Sequence, residues 1–142
     1  MPDTADNAPA LEGIDHIHVF VTDRGAAEIW YARVLGLSRV PSLEGWAADG
    51  GPLTLADASG RIHLALFERS AQACRSTIAL GVSAQGFMAW RAHLAVALGK
   101  AAPTEDHQRS WSMYFADPDG NPYEITSYEY DAVGALLAAQ GA

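Results

Sequence analysis

Laid over itself with a shift of 61 residues, the chain repeats its own pattern, and this repeat constrains the fold more than any other feature. The shift carries His16 onto Thr77 and His63 onto Glu124, so that DHIHVFV overlies STIALGV. Asp57-Ala-Ser-Gly60 approaches Asp117-Pro-Asp-Gly120, one residue out of step. Each half reads as an apolar strand, an amphipathic helix and then further strands, the mark of one supersecondary unit used twice. Two such units can pair and bring the same strand position of each to a common centre. The expected fold class is therefore α+β, with paired βαβββ modules forming a cup-shaped sheet around a metal site. His16, His63 and Glu124 are expected to cluster there, with Thr77 at the fourth corner.

The pieces follow from periodicity and from turn residues. Residues 14–21 alternate, with Ile17, Val19 and Val21 on one face and His16, His18 and Phe20 on the other. A helix starts near Asp23 and runs to about Leu35, where Gly36 stops it. Residues 38–42 read as a short strand, and residues 43–51, with Trp46 and Gly50-Gly51, as a mobile loop. Residues 52–56 and 61–68 form a hairpin in which His63, Ala65 and Phe67 face away from Ile62, Leu64 and Leu66. Residues 70–75 link the halves. In the second half, residues 77–83 are a strand and 85–98 a helix ended by Gly99; 104–107, 110–116 and 122–128 complete the sheet. An apolar helix over 131–140 suits a sheet edge or a subunit interface. Residues 1–12 are expected to be a flexible tail, and 13–142 one domain with modules at about 13–69 and 76–130.

Composition narrows the function classes. Of the 142 residues 49% are apolar and 18% charged, a globular balance. The net charge of −8, with no basic run, argues against nucleic acid, whose binding rests on Lys and Arg clusters. No apolar run reaches the ~18 residues of a membrane span. The single cysteine, Cys74, excludes an internal disulfide, and the acidic opening MPDTADNAPALEG lacks the features of a signal peptide, so a cytoplasmic setting is expected. A small domain with exposed sheet edges is expected to pair as a homodimer.

A strand histidine is ordinarily a hydrogen-bonded core or surface residue. Here His16 and His63 each lie opposite an aliphatic stripe, and a sheet covered by helices on one side lines a cup with the other. Two imidazoles and a carboxylate with an open corner suit a divalent metal such as Fe(II), Mn(II), Zn(II) or Co(II) with exchangeable positions. The lack of a thiolate set argues against structural zinc.

These residues resemble the vicinal oxygen chelate superfamily, which includes glyoxalase I, fosfomycin-resistance proteins, bleomycin-resistance proteins and type I extradiol dioxygenases. The resemblance covers about residues 14–128. DHIHVFVTDRGAAEIWYARVLGL is similar to the family's opening strand and helix, whose His supplies a metal ligand, which maps to His16. FADPDGNPYEI is similar to its closing hairpin, whose Glu supplies another, which maps to Glu124. This chain departs from the pattern twice. His63 stands where glyoxalase I offers a Glu, and Thr77 where the second module offers a His. The resemblance, joined to the repeat, implies that His63 takes over the missing imidazole.

A further pattern resembles the type I extradiol dioxygenases: His107, then Met113-Tyr114, Asp117-Pro118-Asp119-Gly120 and Glu124. Glu105, two residues before His107, lies outside the small or apolar set usual there. Tyr114 shares the cup face with Ser112 and Ser110 if Trp111, Met113 and Phe115 pack away. A phenol near a metal can steady an oxyanion, and an imidazole can move protons near neutral pH. The competing readings are a strand tyrosine packing its ring, and an exposed turn histidine at 107. His18, Trp46, Thr77 and Ser112 are expected to contact substrate, and His93 to be a surface residue.

The resemblance implies a divalent metal, Fe(II) first with Zn, Ni, Mn and Co as alternatives, chelating two neighbouring oxygens of a small substrate. Extradiol-like dioxygenation is the leading expectation. A glyoxalase- or epimerase-like isomerisation is the alternative within enzymes. A bleomycin-resistance-like binder, using Trp46 and Trp111 for stacking, is the alternative outside them.

Overall fold

Two stretches of alternating apolar and polar residues build two four-stranded sheets, each beginning with a strand and a crossover helix. A computed structural model describes residues 8–70, 72 and 74–141. The first module contains β1 (Ile17–Val21), α1 (Arg24–Leu35), β2 (Ser38–Arg39), α2 (Glu44–Ala48), β3 (Leu53–Ala56) and β4 (His63–Glu68). The second contains β5 (Ile78–Gly81), α3 (Ala84–Ala97), β6 (Thr104–Asp106), β7 (Trp111–Ala116) and β8 (Pro122–Ser127), followed by α4 (Tyr130–Gly141). The sheet orders are β1-β4-β3-β2 and β5-β8-β7-β6, the same topology twice. In each, the first strand runs parallel to the last, and the other pairings are antiparallel. Among the described residues no helix is long and apolar enough to cross a membrane.

Helix ends follow local chemistry. The Asp23 side chain accepts from the Ala26 N–H at the start of α1, and Gly36 closes it at φ 69°, a conformation glycine adopts without strain. Ser83 caps α3 through the Gly86 N–H.

Two expectations need correction. The strand expected over 38–42 is only Ser38–Arg39, because Pro41, with no N–H to donate, opens a 3-10 turn over Pro41–Leu43. The loop expected over 43–51 contains α2, which is held from outside: the Arg24 guanidinium donates to Ala47 O within it and to Gly51 O just after it. His93 is an exposed residue, as expected, and its Nε2 also lies 2.8 Å from Val34 O, which ties α3 to α1. Residues 8–16 are exposed and without regular structure. Residues 1–7 of the expected tail, and 71 and 73 of the linker, lie outside the described residues.

The apolar stripes meet in one core. Val19 and Val21, Leu64 and Leu66, and Leu53 and Leu55 pack with Trp30, Tyr31 and Val34 of α1, while Ile78, Met113, Tyr123 and Ile125 pack with Phe87 and Leu94 of α3. At its centre is a polar node. The Tyr31 hydroxyl donates to Asp117 Oδ2 at 2.6 Å, so the hydroxyl of Tyr123, 2.8 Å away, must donate to Tyr31. Asp117 also accepts from the backbone of Asp119 and Asn121 and from Asn121 Nδ2. Asn121 Nδ2 in turn donates to Phe20 O in the first module, and Asn121 Oδ1 accepts from the Cys74 N–H of the linker. Thr22 adds a hydrogen bond to Asp119 at 2.8 Å. The β7–β8 turn thus fastens one module to the other.

Burial, then the neighbouring Tyr123 and Asp117, pushes the Tyr31 phenol well above its usual range; burial does the same to Tyr123. Both keep their protons in the folded chain at a pH where the unfolded chain releases them, about 10. Their contribution is full below that pH and is lost as pH rises through it, by up to ~1.4 kcal/mol per pH unit for each tyrosine. Urea denaturation at pH 8, 10 and 11 should show this decline. Tyr31→Phe should roughly halve the slope and cost about 1–2 kcal/mol at neutral pH by removing the bond to Asp117.

Candidate functional site

The face of each sheet turned away from the core carries the chemistry. On β1 and β4 the register sets His18 beside Ala65 and Phe20 beside Phe67, and β3 adds Ala56 opposite His63. His16 lies one residue before β1. It borders a cavity of about 160 Å³ with His63, Thr54, Ala65 and Trp46, which α2 holds at the rim half-exposed. His16 and His63 also share a neighbouring cavity that reaches Ile78 and Ala79 of β5. His16 Nδ1 lies 2.8 Å from Asp15 Oδ2, and its Nε2 lies 3.1 Å from His18 Nε2.

The second sheet gathers a different set. Glu124 sits on β8 between Ala79 of β5 and Tyr114 of β7. Ser112 Oγ donates to Glu124 Oε2 at 2.8 Å and stands 3.0 Å from Thr126 Oγ1, which fixes the carboxylate in a half-buried position. Trp111, Met113 and Phe115 pack on the core side, which turns Ser112 and Tyr114 to the opposite face, Tyr114 partly exposed and Ser112 fully buried beside Glu124. The β6–β7 turn folds back through a Gln108 at φ 67°, whose N–H donates to Asp106 Oδ1. That turn delivers His107, whose Nε2 lies 2.9 Å from Tyr114 Oη. Burial, then the Glu124 charge, raises the Tyr114 phenol above its ordinary value despite partial exposure. The phenol therefore keeps its proton near neutrality and can donate it to His107 in the tautomer that leaves Nε2 bare.

The sequence-predicted residues thus fall into two groups. His16, His63 and Trp46 border one cavity, with His18 in contact with His16. Glu124, Ser112, Tyr114 and His107 are joined along the other sheet. Thr77 immediately precedes β5. Two imidazoles and a carboxylate are suitable donors for a divalent metal, but one chain does not assemble them. Among the described residues no three His, Cys, Asp or Glu side chains stand close enough together to hold an ion. Within a single chain the arrangement does not fit a three-ligand metal. Sequence reasoning also missed Asp15, whose carboxylate fixes the His16 ring; an acidic residue next to a strand histidine was the available signal.

Residues 13–125 match the model of the Glyoxalase/Bleomycin resistance protein/Dioxygenase superfamily. No curated protein sequence matches the chain. Among solved structures, a glyoxalase-family protein of Bacillus anthracis is similar at 21% identity and a TM-score of 0.67, over 86% of this chain and 99% of that one. A mutant of the fosfomycin resistance protein FosX of Listeria monocytogenes was solved with Mn(II) and 1S,2S-dihydroxypropylphosphonic acid. It is similar at 16% identity and a TM-score of 0.66, over 87% and 97%. A glyoxalase/dioxygenase of Nostoc punctiforme is similar at 20% identity and a TM-score of 0.62, over 82% and 91%. At these identities the structures establish likeness of fold. With the family model spanning both modules, the chain belongs to the Glyoxalase/Bleomycin resistance protein/Dioxygenase superfamily.

Proposed function

We propose that this chain is a metal-dependent enzyme acting on a small substrate with two neighbouring oxygens, and that its chemistry is extradiol-dioxygenase-like. The observation that carries this reading is the 2.9 Å contact of His107 with Tyr114, itself opposite Glu124 across the β7–β8 register. A phenol that keeps its proton can donate it to an oxyanion on the substrate, and His107 can take that proton up or return it. The cavity beside His16 and His63, about 160 Å³, suits a small substrate, being below the ~300 Å³ of most drug-sized sites.

A divalent metal, Fe(II) in this reading, supplies Lewis acidity toward neighbouring oxygens when bound. Its proposed donors are His16, His63 and Glu124, with Thr77 left to contact substrate, while Ser112, fully buried, steadies the carboxylate and, contrary to expectation, does not reach substrate. The Mn(II) and dihydroxy compound of the Listeria protein support a divalent ion and a substrate of this type. Because one chain keeps Glu124 apart from the histidines, the set closes when a second copy brings the two open faces together, and the working form is a homodimer. A second reading, a small-molecule binder, draws on the half-exposed Trp46 at the cavity rim.

Metal analysis of anaerobically purified protein, followed by oxygen uptake with catechols, tests the proposal. Iron with oxygen uptake supports it, zinc or nickel moves the reading to an isomerase, and no metal leaves the binder. His16→Ala, His63→Ala and Glu124→Ala should each sharply reduce bound metal; full occupancy in His63→Ala would remove that residue from the set. If the site is shared between copies, refolding a mixture of His16→Ala and Glu124→Ala chains should restore up to about a quarter of the sites, since half of the sites in a mixed dimer carry no substitution.

Tyr114→Phe should keep metal binding and lower turnover by on the order of 10²-fold. Independently of any activity, Glu124→Gln removes a charge that raises the Tyr114 phenol. The Tyr114 pKa should then fall toward its ordinary value, read from the ring-carbon shift of labelled tyrosine during an NMR titration. An unmoved Tyr114 would separate it from Glu124.

A further inference from the structure

We propose that Tyr130, at the start of α4, is a positioning residue for His107, acting through the carboxylate of Asp106. The inference rests on the reading of His107 and Tyr114 as a proton-transfer pair given above, and it says what sets their geometry. The His107 side chain is exposed, and its Nε2 lies 2.9 Å from Tyr114 Oη and 3.8 Å from Glu105 Oε2. A ring so little enclosed takes its direction from the backbone that carries it. In the β6–β7 pairing Glu105 stands opposite Ser112 and Asp106 opposite Trp111. Partners across an antiparallel pair share a face, so Glu105 lies on the side of Ser112 and Tyr114, and Asp106 on the side of Trp111. Beyond Asp106 the chain turns sharply: the His107 N–H donates to Ser110 O at 2.9 Å, and Gln108 takes φ 67°, a left-handed conformation that a Cβ disfavours.

Asp106 joins that turn to a separate element. Its Oδ1 accepts from the Gln108 N–H at 2.7 Å, which offsets the left-handed residue, and its Oδ2 accepts from the Tyr130 hydroxyl at 2.9 Å. Tyr130 is itself well fixed. Its ring stacks on Trp111, with centroids 5.9 Å apart and planes within 16°. Just before it, Glu129 Oε1 accepts from the Ala84 N–H at the start of α3, and Val133, one turn on, is fully buried. Near the far end of α4, Gln140 Oε1 accepts from Arg91 of α3 at 2.7 Å. The hydrogen bond to Asp106, then burial, raises the Tyr130 phenol above its ordinary value, so near neutrality it stays the donor. The paired helices α3 and α4 thus reach, through one carboxylate, the turn that aims His107 at Tyr114. The rival account is that the hydroxyl only fastens α4 to β6, and that the turn keeps its shape without it.

The full-length protein, isotopically labelled in its aromatic and histidine rings, is examined by NMR for the cross-peak between ring protons of His107 and Tyr114, whose centroids lie 6.1 Å apart, edge to face. Tyr130→Phe keeps a ring on Trp111 and removes the hydroxyl. It should lose most of the His107–Tyr114 cross-peak while the contact of the residue 130 ring with Trp111 persists. Asp106→Ala should lose the cross-peak as well. Asp106→Asn should keep it, because an amide offers an oxygen to the Gln108 N–H and an N–H to the Tyr130 oxygen. If Tyr130→Phe kept the parent's cross-peak, the hydroxyl would position nothing and the proposal would fall. If that variant lost the Trp111 contact too, the hydroxyl would serve to dock α4 as a whole, and the proposal would fall likewise. The reading of the reaction fails by a different measurement, unchanged oxygen uptake in Tyr114→Phe, on which none of these spectra depends.

Discussion

The buried carboxylate of Asp117 is the constraint on which the arrangement of the two modules depends. It is nearly inaccessible to solvent, so its charge is tolerated only because hydrogen bonds replace the water it has lost. Those bonds come from Tyr31 on the helix of the first module and from the backbone and side chain of its own turn. Gly120, at φ 85°, lets that turn close so tightly. Because Asn121 carries the same network on to Phe20 and Cys74, the turn that ends β7 also sets where β1 and the linker lie. The open faces of the two sheets, and every donor on them, inherit their relative placement from this node.

Much of this was legible in the sequence where one periodicity decided the outcome. The alternation in β1, β4 and β7 assigned each side chain to its face, and the caps at Asp23, Gly36 and Ser83 come from residue types whose preferences are local. The Asp-Pro-Asp-Gly turn was visible as a turn, but its role as the join between modules was not, because that role depends on Tyr31, 86 residues away in sequence. Helix α2 was hidden for a similar reason. Gly45, Gly50 and Gly51 read as loop, while the contact that secures the helix comes from Arg24. At the site, the repeat named the strand positions without fixing how far apart the two sheets hold them.

The two open faces are chemically unequal although their topology is the same. One carries imidazoles beside an apolar floor of Ala65 and Phe67; the other carries a carboxylate held by hydroxyls and a phenol that keeps its proton. A protein face rich in imidazole nitrogens offers lone pairs, and a face with a fixed charge and an O–H offers electrostatic balance and a proton. Bringing them together gives complementary halves in place of a duplicated one. Thr77, just before β5, adds no imidazole to the second face, and the closeness of His16 to His18 concentrates nitrogen donors on the first.

The repeat breaks in the connections that border the two open faces. In the second module the β6–β7 connection is short, and its one left-handed residue, Gln108, turns His107 back onto Tyr114. The corresponding β2–β3 connection of the first module, residues 40–52, is longer and folds into a 3-10 turn and α2, which carry Trp46 to the cavity rim. The Gly51 N–H donates to Trp46 O at 2.7 Å, and a Cβ at Gly51 would come within 2.8 Å of that oxygen, so only glycine permits this closure. Arg24 fastens the same segment to the start of α1. Equivalent connections of a duplicated unit thus deliver an imidazole to one face and an aromatic side chain to the other. Divergence is cheapest in these connections, because they lie outside the apolar stripes that the shared core requires.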